Sequence, residues 1–367
     1  MPSFIHIADT HFDTAFSANF DAKKAKIRRA EMLQSFSNVI EYAKNVDFLL
    51  IAGDVFDGDY VSSDTINFLK RKFSEISDKK VFICAGNHDP YKHQSIYDTI
   101  SFGENVYVFK TEPEFVEIPE CKTRIYGVSM PERACSVMDG FPSAYDNEYT
   151  NIILAHGDIV SSVNESEYNP ITKSFIENCG ADYLALGHIH KRSEIEKIGN
   201  TYYSYPGVIE GRGFDECGDM GCYIINIEDG LLNYEFKKTC VRRNFRLEVD
   251  VNAASDIIEI ADIVKKEMSS VGNEKDIYRI YLTGRRKSNI NTEVIENEIK
   301  GNVFHFEVYD ETKPDYNLKE IRERNSLCGE FVRLMEEDIS ALSGIDKENA
   351  ENALLLGIEA LLGGDIS

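Results

Sequence analysis

The sequence predicts an α/β fold in its first part, followed by a small α+β module and a helical C-terminal segment. Up to about residue 240, continuous apolar runs of strand length alternate with helical stretches. The next seventy residues alternate apolar and charged side chains, and the last part is strongly helical. A chain of 367 residues also exceeds the usual size of one domain. We therefore expect domains at 1–240, 241–310 and 311–367.

Six apolar runs in the first part are rich in β-branched and aromatic residues: FIHIA, DFLLIAG, VFICAG, TRIYGVSM, NIILAHG and YLALG. Between the first two runs, apolar residues recur at helical spacing from Ala25 to Lys44. Continuous apolar strands separated by helices predict a sheet that is covered on both faces. The strand order stays open at this point.

The middle part has the pattern of a β-α-β-α-β module with one exposed sheet face. FRLEVDV and VFHFEVYDE alternate with period two, and IYRIYLTG follows a helical stretch between Ile257 and Met268. The last helix carries an apolar stripe and is followed by two glycines that favour its end: Leu354, Leu355, Ile358, Leu361, Leu362, Gly363 and Gly364. This helical part either packs on its own domain or binds the helices of a partner.

Composition favours a cytoplasmic protein without a membrane anchor. No apolar run is long enough to cross a bilayer, and the N-terminus lacks the basic start of a signal peptide. The eight cysteines form no C-x-x-C pair, so we expect reduced thiols, and Cys217 with Cys222 is a weak zinc candidate. The net charge of −23 argues against a surface coated with basic residues, although bound cations could still attract a phosphate substrate.

Five polar clusters each follow an apolar strand-like run directly: Asp9-Thr10-His11, Gly53–Asp57, Gly86–Asp89, His156-Gly157 and Gly187–His190. Functional groups of open α/β sheets collect beyond the carboxyl ends of the strands. Each cluster alone is compatible with an ordinary turn or helix cap. However, five of the eight histidines fall in these clusters, which favours a single metal site.

This set of side chains suits two divalent cations. We expect one ion on Asp9, His11 and His190, a second on Asn87, His156 and His188, and Asp54 bridging both. Two such ions activate a water and neutralise phosphoryl oxygens during phosphoester hydrolysis. Mixed imidazole and carboxylate ligands favour Mn, Fe or Zn over Mg or Ca.

Three further residues of the clusters have expected roles beside the ions. His88 adjoins Asn87 without being a ligand, so it is the candidate catalytic residue that stabilises or protonates the leaving oxygen. Asp57 and Asp89 are expected to orient imidazoles. His6, His93 and His305 are not expected to be ligands, although His93 lies close enough in sequence to touch substrate.

The order D-x-H, G-D-x-x-D, G-N-H-D, H-G, G-H-x-H resembles the calcineurin-like metallophosphoesterases. The segments FIHIADTHFD, VDFLLIAGDVFD, ALGHIHKR and YSYPGVIEGRGFDECGDMGCYIINI resemble the SbcD/YhaO-type DNA repair exonucleases within that family. The resemblance extends to about residue 240 and continues weakly through the middle part, in the position of a capping domain. The C-terminal helices resemble only the YhaO-like branch, through GEFVRLMEED and LLLGIEALLGG.

The resemblance implies a four-layer β-sandwich flanked by helices, with the same seven metal ligands and with His88 as the catalytic histidine. It further implies two Mn²⁺ ions and a 3′-to-5′ exonuclease and single-strand endonuclease activity in double-strand-break repair. The implied partners are DNA and an SMC-like coiled-coil ABC-type ATPase, and a homodimer is also considered. The sequence departs from relatives that have histidine at Asp57 and a proline-containing turn at Gly58-Asp59-Tyr60, which leaves duplex-end preference open.

Basic residues near the clusters are candidates for binding the substrate. Arg212 lies in a Gly-flanked loop, and Lys191-Arg192 follow the last cluster directly; Arg133, Arg285, Arg286 and Lys287 are further candidates. Three classes of function remain: a DNA nuclease subunit, a phosphoesterase for small nucleotides or phosphoproteins, and a catalytically silent scaffold. The presence of every expected ligand argues against the scaffold.

Overall fold

The computed structural model divides the chain into two compact units, Met1–Asn244 and Phe245–Ser367. It describes all residues except 18–19, 59, 142–144, 147, 288–289, 302 and 363–367. The glycine pair expected to end the last helix and Asp59 of the departing turn therefore lie outside the described residues. Within the described part of the chain, no helix is long and apolar enough to span a membrane.

The strands and helices of the first unit are numbered along the chain. Its strands are β1 (Ser3–Ile7), β2 (Phe48–Ala52), β3 (Lys80–Cys84), β4 (Val106–Val108), β5 (Glu114–Ile118), β6 (Thr123–Gly127), β7 (Thr150–His156), β8 (Ile159–Val160), β9 (Ile171–Thr172), β10 (Tyr183–Gly187), β11 (Glu196–Ile198), β12 (Thr201–Ser204), β13 (Gly221–Glu228) and β14 (Leu231–Lys238). Its α-helices are α1 (Ala22–Ala43), α2 (Ser63–Ser74), α3 (Ile96–Thr99) and α4 (Lys173–Cys179).

Two six-stranded sheets form the first unit. The order in one sheet is β14-β13-β1-β2-β3-β4, with β1 to β4 parallel and β13 antiparallel to both of its neighbours. The order in the other is β11-β12-β10-β7-β6-β5, with four parallel strands inside and an antiparallel strand at each edge. All parallel strands of each sheet therefore end on the same side.

The two sheets pack face to face around a shared apolar core. This core joins Phe48 and Phe82 of the first sheet to Ile152 and Tyr183 of the second. The outer faces are covered by helices, since α1 contacts β1 and β13, whereas α4 contacts β11 and β12. The arrangement is the expected four-layer sandwich. Each predicted strand is apolar on both sides because the opposite sheet covers one face and a helix covers the other.

Local sequence explains the long helix α1. Asp21 caps its N-terminus by accepting the Lys24 backbone N–H at 2.9 Å. Met32, Phe36, Val39 and Ile40 are spaced at three or four residues and are buried. Burial of this stripe fixes the helix on the sheet.

The second unit contains the expected small α+β module. Its elements are β15 (Asn244–Asp250, beginning in the first unit), α5 (Ile257–Val271), β16 (Ile277–Thr283), β17 (Arg285–Arg286), α6 (Thr292–Ile299), β18 (His305–Asp310) and β19 (Lys313–Pro314). A three-stranded sheet has the order β15-β16-β18, and β17 pairs with β19. Its two helices pack on one face of the sheet around Val249, Val264, Ile280 and Ile295.

Three helices complete the second unit: α7 (Leu318–Glu323), α8 (Leu327–Ser340) and α9 (Gly344–Leu361). They form an apolar cluster of their own that includes Val332, Ile339, Leu354 and Ile358. Only part of the predicted stripe of the last helix is buried, because Leu361 and Leu362 are 40% and 51% exposed.

Candidate metal centre

The five polar clusters lie at the ends of β1, β2, β3, β7 and β10, and they meet where β10 of one sheet approaches β2 of the other. Gly187 ends β10 in register with His156 of β7. A Cβ atom at Gly187 would lie 1.8 Å from the Ala52 carbonyl oxygen at the end of β2 in the opposite sheet. Only glycine permits this approach, which brings together clusters from both sheets.

Four of the seven candidate ligands have left-handed backbone conformations. The φ angles are 51° at Asp9, 42° at His11, 49° at Asp54 and 105° at His188. Residues with a Cβ rarely adopt such angles, and each instance costs about 1–3 kcal/mol. The turns after the strands thereby aim the side chains into the crevice.

The first predicted ligand group is close-packed. Candidate ligand atoms of Asp9, His11 and His190 all lie within 4.8 Å of one another. The Nε2 atoms of His11 and His190 are 3.1 Å apart. Two neighbouring nitrogen ligands of one ion, each at about 2.1 Å, are separated by about 3.0–3.4 Å. This spacing fits one shared cation.

The second predicted group converges on the side-chain oxygen of Asn87. This oxygen lies 2.8 Å from Nε2 of His156 and 3.0 Å from Nδ1 of His188. Asp54 lies between the two groups, because its Oδ2 atom is 3.6 Å from His11 Nε2 and 3.5 Å from His156 Nε2. The geometry therefore suits Asp54 as a shared ligand.

Each of the four candidate imidazole ligands has an oxygen acceptor beside its outer nitrogen: Asp57 Oδ1 for His11 at 3.2 Å, Ala52 O for His156 at 2.9 Å, Asp158 Oδ1 for His188 at 3.4 Å and Glu216 Oε1 for His190 at 2.8 Å. A carbonyl or carboxylate oxygen only accepts, so each of these contacts is a hydrogen bond when the outer nitrogen carries the proton. With the proton on the outer nitrogen, the inner nitrogens direct lone pairs at one another and at the Asn87 oxygen. Converging lone pairs of this kind fit a site built for cations.

Burial keeps the deepest imidazoles neutral. It lowers the pKa of His11 to about 4 and lowers the pKa of His156 as well. Burial raises the pKa of the Asp9 carboxyl well above its usual value, and the charge of Asp54 raises it further. Burial also tends to raise the pKa of Asp54. The interactions of its carboxylate with His156 and His11 are stronger, and they hold its pKa below the usual value. Oxygen atoms of these two buried carboxyl groups lie within 4.8 Å of each other, which favours a bound cation.

His88 lies at the rim of this centre. Its backbone N–H donates to Asp54 Oδ1 at 2.8 Å, and its Nδ1 atom is 3.5 Å from Asp57 Oδ1. The hydrogen bond with Asp57 raises the pKa of His88 above its ordinary value. The ring is 36% exposed and lines a cleft of about 380 Å³ that Lys92 and Arg133 also line. His88 is thus placed beside the centre and open to a substrate.

The two carboxylates expected to orient imidazoles differ in their contacts. Asp57 contacts the ring of His11, and hydrogen bonds from His11 and His88 overcome the effect of burial to lower its pKa. Asp89 contacts no imidazole within the described part of the chain. It accepts the backbone N–H groups of Phe56 and Gly86 at 3.0 and 2.8 Å and the Tyr97 hydroxyl at 2.6 Å. Asp89 thereby joins the loop after β2 to the loop after β3.

The candidate substrate-binding residues are dispersed. The Arg212 guanidinium lies at the centre, with Nη2 2.9 Å from His190 Nδ1 and Nη1 3.8 Å from Asp57 Oδ1. Lys191 is exposed, whereas Arg192 lies over the Phe236 ring at 3.9 Å from its centroid.

The other basic and histidine candidates lie in varied surroundings. His93 is 88% exposed and pairs with Asp98. In the second unit, Arg286 pairs with Glu359 at 2.9 Å and donates to Thr312.

Three residues that contact the centre were missed by the sequence reasoning. Asp158 and Glu216 accept from His188 and His190, and Asn169 donates to the His156 carbonyl at 2.8 Å. Asp158 comes two residues after His156, so the rule used for the five clusters could have found it. Nothing in the spacing of Glu216 or Asn169 indicates that their loops reach the site.

The profile of the calcineurin-like phosphoesterase family matches residues 2–192 of this chain. The chain therefore belongs to the calcineurin-like phosphoesterases, which are metal-dependent phosphoester hydrolases.

Among its relatives is a protein of Bacillus subtilis (strain 168), "Uncharacterized metallophosphoesterase YhaO", which is 30% identical over 73% of this chain and 68% of its own length. One of the subunits of the nuclease SbcCD, from Staphylococcus epidermidis, is 23% identical over 76% of this chain and 78% of its own. "DNA double-strand break repair protein Mre11" of Methanopyrus kandleri is 25% identical over 63% of this chain and 55% of its own length.

Two solved structures are similar at lower identity. The protein TT1561 of Thermus thermophilus is 13% identical with a TM-score of 0.40 and covers 64% of this chain and 98% of its own. Purple acid phosphatase PPD1 from yellow lupin seeds is 13% identical with a TM-score of 0.39 and covers 65% of this chain and 51% of its own.

Proposed function

We propose that this metallophosphoesterase is a two-metal phosphodiesterase that hydrolyses DNA. It acts as a 3′-to-5′ exonuclease and single-strand endonuclease in double-strand-break repair, with Mn²⁺ as the resident metal. The names of two relatives, a nuclease subunit and a DNA double-strand break repair protein, support DNA as the substrate.

One observation carries the catalytic part of the proposal. Four imidazoles, anchored by their outer nitrogens, turn their inner nitrogens toward one crevice that also contains Asp9, Asp54 and the Asn87 oxygen. In this arrangement Asp9, His11 and His190 would hold one ion, Asn87, His156 and His188 would hold the other, and Asp54 would serve both. A silent scaffold would have no need for this complete set.

The side chains around the ions have distinct tasks. A pair of divalent cations, when bound, supplies water activation and charge neutralisation at the phosphoryl group. His88 stabilises or protonates the leaving oxygen from the rim, and Asp57 fixes the orientation of its ring. The Arg212 guanidinium offers N–H groups to a non-bridging phosphate oxygen.

We also propose a coiled-coil ATPase as the partner. One relative is named as a subunit of a nuclease complex, which supports an assembly with another chain. The large negative charge supports a division of labour, since a chain of −23 is poorly suited to hold long DNA alone.

The test is digestion of end-labelled single-stranded, duplex and hairpin DNA with Mn²⁺, Fe²⁺ or Zn²⁺, with and without a candidate ATPase. Stepwise loss of nucleotides from the 3′ end and internal cuts in single strands are expected with Mn²⁺. Turnover of bis-p-nitrophenyl phosphate without DNA cleavage would instead favour small nucleotides or phosphoproteins as substrates. No turnover with any of the metals would favour a silent scaffold.

A further inference from the structure

Two groups of opposite hydrogen-bonding character compete for the outer nitrogen of His190. Glu216 Oε1 lies 2.8 Å from His190 Nδ1, and Arg212 Nη2 lies 2.9 Å from the same atom. The carboxylate can only accept a hydrogen bond, whereas the guanidinium can only donate one. Nδ1 can therefore form a hydrogen bond with only one of these two groups at a time.

The outcome of this competition decides what His190 presents to the centre. If Nδ1 donates to Glu216, Nε2 carries a lone pair, which faces His11 Nε2 at 3.1 Å. If Nδ1 accepts from Arg212, the single proton of the neutral ring moves to Nε2 and points into the crevice. A protonated Nε2 cannot bind a cation.

The contacts of Glu216 favour the first arrangement. Its carboxylate also accepts Arg212 Nη2 at 3.1 Å, Arg212 Nε at 3.3 Å and the Arg212 backbone N–H at 2.5 Å. Its side chain is only 3% exposed, so bulk water does not compete for it. This buried carboxylate therefore engages the N–H groups of Arg212 and competes with Nδ1 for them.

We infer that Glu216 is a positioning residue that selects the metal-binding tautomer of His190 against the competing donor Arg212. The inference rests on the proposed role of His190 as a metal ligand. It gives Glu216 two linked effects: a lone pair on His190 Nε2 and an Arg212 guanidinium held where it can meet a phosphate.

The loop that carries both residues is fixed independently of this carboxylate. Arg28 Nη2 donates to the Gly211 carbonyl at 2.7 Å, and Asn244 Nδ2 donates to the carbonyl oxygens of Gly213 and Glu216 at 2.8 and 3.1 Å. Removal of the Glu216 side chain thus leaves Arg212 in place to donate to Nδ1. The proton of His190 should therefore move from Nδ1 to Nε2 rather than be shared between the two nitrogens.

The test is a double-mutant cycle of Glu216→Ala and Arg212→Ala in the full chain. Binding of Mn²⁺ alone is measured by calorimetry, and the histidine tautomers of the metal-free protein are measured by ¹⁵N NMR. The His190 signals are assigned by their loss in His190→Asn. In the unaltered protein, a proton on Nδ1 and none on Nε2 is expected.

Glu216→Ala should move the proton of His190 to Nε2 and weaken the binding of one of the two Mn²⁺ ions by about 10–100-fold. Adding Arg212→Ala to that variant should restore most of the affinity, because the competing donor is gone. Arg212→Ala alone should bind Mn²⁺ as the unaltered protein does. Asp215→Asn removes an exposed charge one residue away and is the matched control, with no expected change in the isotherm or spectrum.

Three results would overturn the inference: Nε2–H in the unaltered protein, an unchanged Mn²⁺ isotherm in Glu216→Ala, or a double variant no better than Glu216→Ala. The spectrum of the unaltered protein decides the question even if a variant does not fold. If the double-mutant cycle gives the expected Mn²⁺ affinities but the protein does not cleave DNA, only the proposed substrate is contradicted. A protein that binds no Mn²⁺ would count against the proposed metal centre, and the metal-free spectrum would still test the competition.

Discussion

Asp54 differs from the other candidate ligands because its Oδ2 atom is within 3.6 Å of one histidine from each ligand group. Replacing Asp54 with Ala should therefore weaken the binding of both ions together, by more than about 100-fold. Titration calorimetry with Mn²⁺ measures the stoichiometry. Asp78→Ala, which alters a 76% exposed carboxylate of the same unit, is the control. Loss of one ion with the other retained would contradict the shared position of Asp54.

His88 borders the centre and belongs to neither ligand group. We expect His88→Ala to reduce turnover by about 10²–10⁴-fold while two Mn²⁺ ions still bind, because it removes only the group beside the leaving oxygen. Hydrolysis of bis-p-nitrophenyl phosphate and Mn²⁺ calorimetry are measured on the same sample. His93→Ala alters the histidine paired with Asp98 and should match the unaltered protein. Full activity in His88→Ala would remove its proposed role.

Among individual residues, those that directly follow apolar strands could be located from the sequence. The expected ligands are close together in the structure because parallel strands end on one side of each sheet. Glu216 escaped this reasoning because its loop reaches the centre through tertiary contacts with Arg28 and Asn244 rather than by following a strand. Asp89 was assigned an imidazole contact because of its neighbours in sequence, whereas its side chain turns to the backbone of two loops.

Among the secondary-structure elements, β2 and β10 belong to different sheets and touch at their carboxyl ends. Gly187→Ala places a methyl group against the Ala52 carbonyl oxygen, which cannot move without shifting β2. We expect a loss of about 1–3 kcal/mol in the free energy of unfolding of the first unit, together with weaker Mn²⁺ binding. Urea denaturation and Mn²⁺ calorimetry measure the two effects.

Gly230→Ala is the comparison for that variant. Its φ angle is 75° and no atom lies near its Cβ position, so it introduces backbone strain without a collision. Mn²⁺ affinity should be unchanged in this second variant. Equal loss of affinity in both would show that the close approach of the two strands does not shape the centre.

Strands differ in how well they can be predicted from the sequence. Strands buried on both sides, such as β2 and β10, are continuous apolar runs and were predicted within a residue or two. Short edge strands such as β4 and β11 have half-buried or exposed residues and no such run. Division into two sheets was not deducible from the residues, because strand pairing depends on contacts between distant segments; the family resemblance supplied it.

Considered as a whole, the molecule combines a charge of −23 with a site proposed for a polyanion. Binding of DNA should therefore depend on the cations, which supply most of the local positive charge. We expect the His88→Ala variant, in which cutting is slow, to retain fluorescent single-stranded DNA with Mn²⁺ and to release it when EDTA is added. Fluorescence anisotropy measures both states. Equally tight binding in EDTA would place the DNA contacts on basic side chains away from the centre.

The left-handed conformations at Asp9, His11, Asp54 and His188 mean that folding, rather than ion capture, carries the strain of the site. Glycine at any of these positions would relax the backbone, and it would delete a ligand at the same time. Relief of backbone strain and the capacity to hold ions are therefore opposed at four positions of this protein. Efforts to make it more robust should leave those turns alone and work on the distant faces of the sandwich.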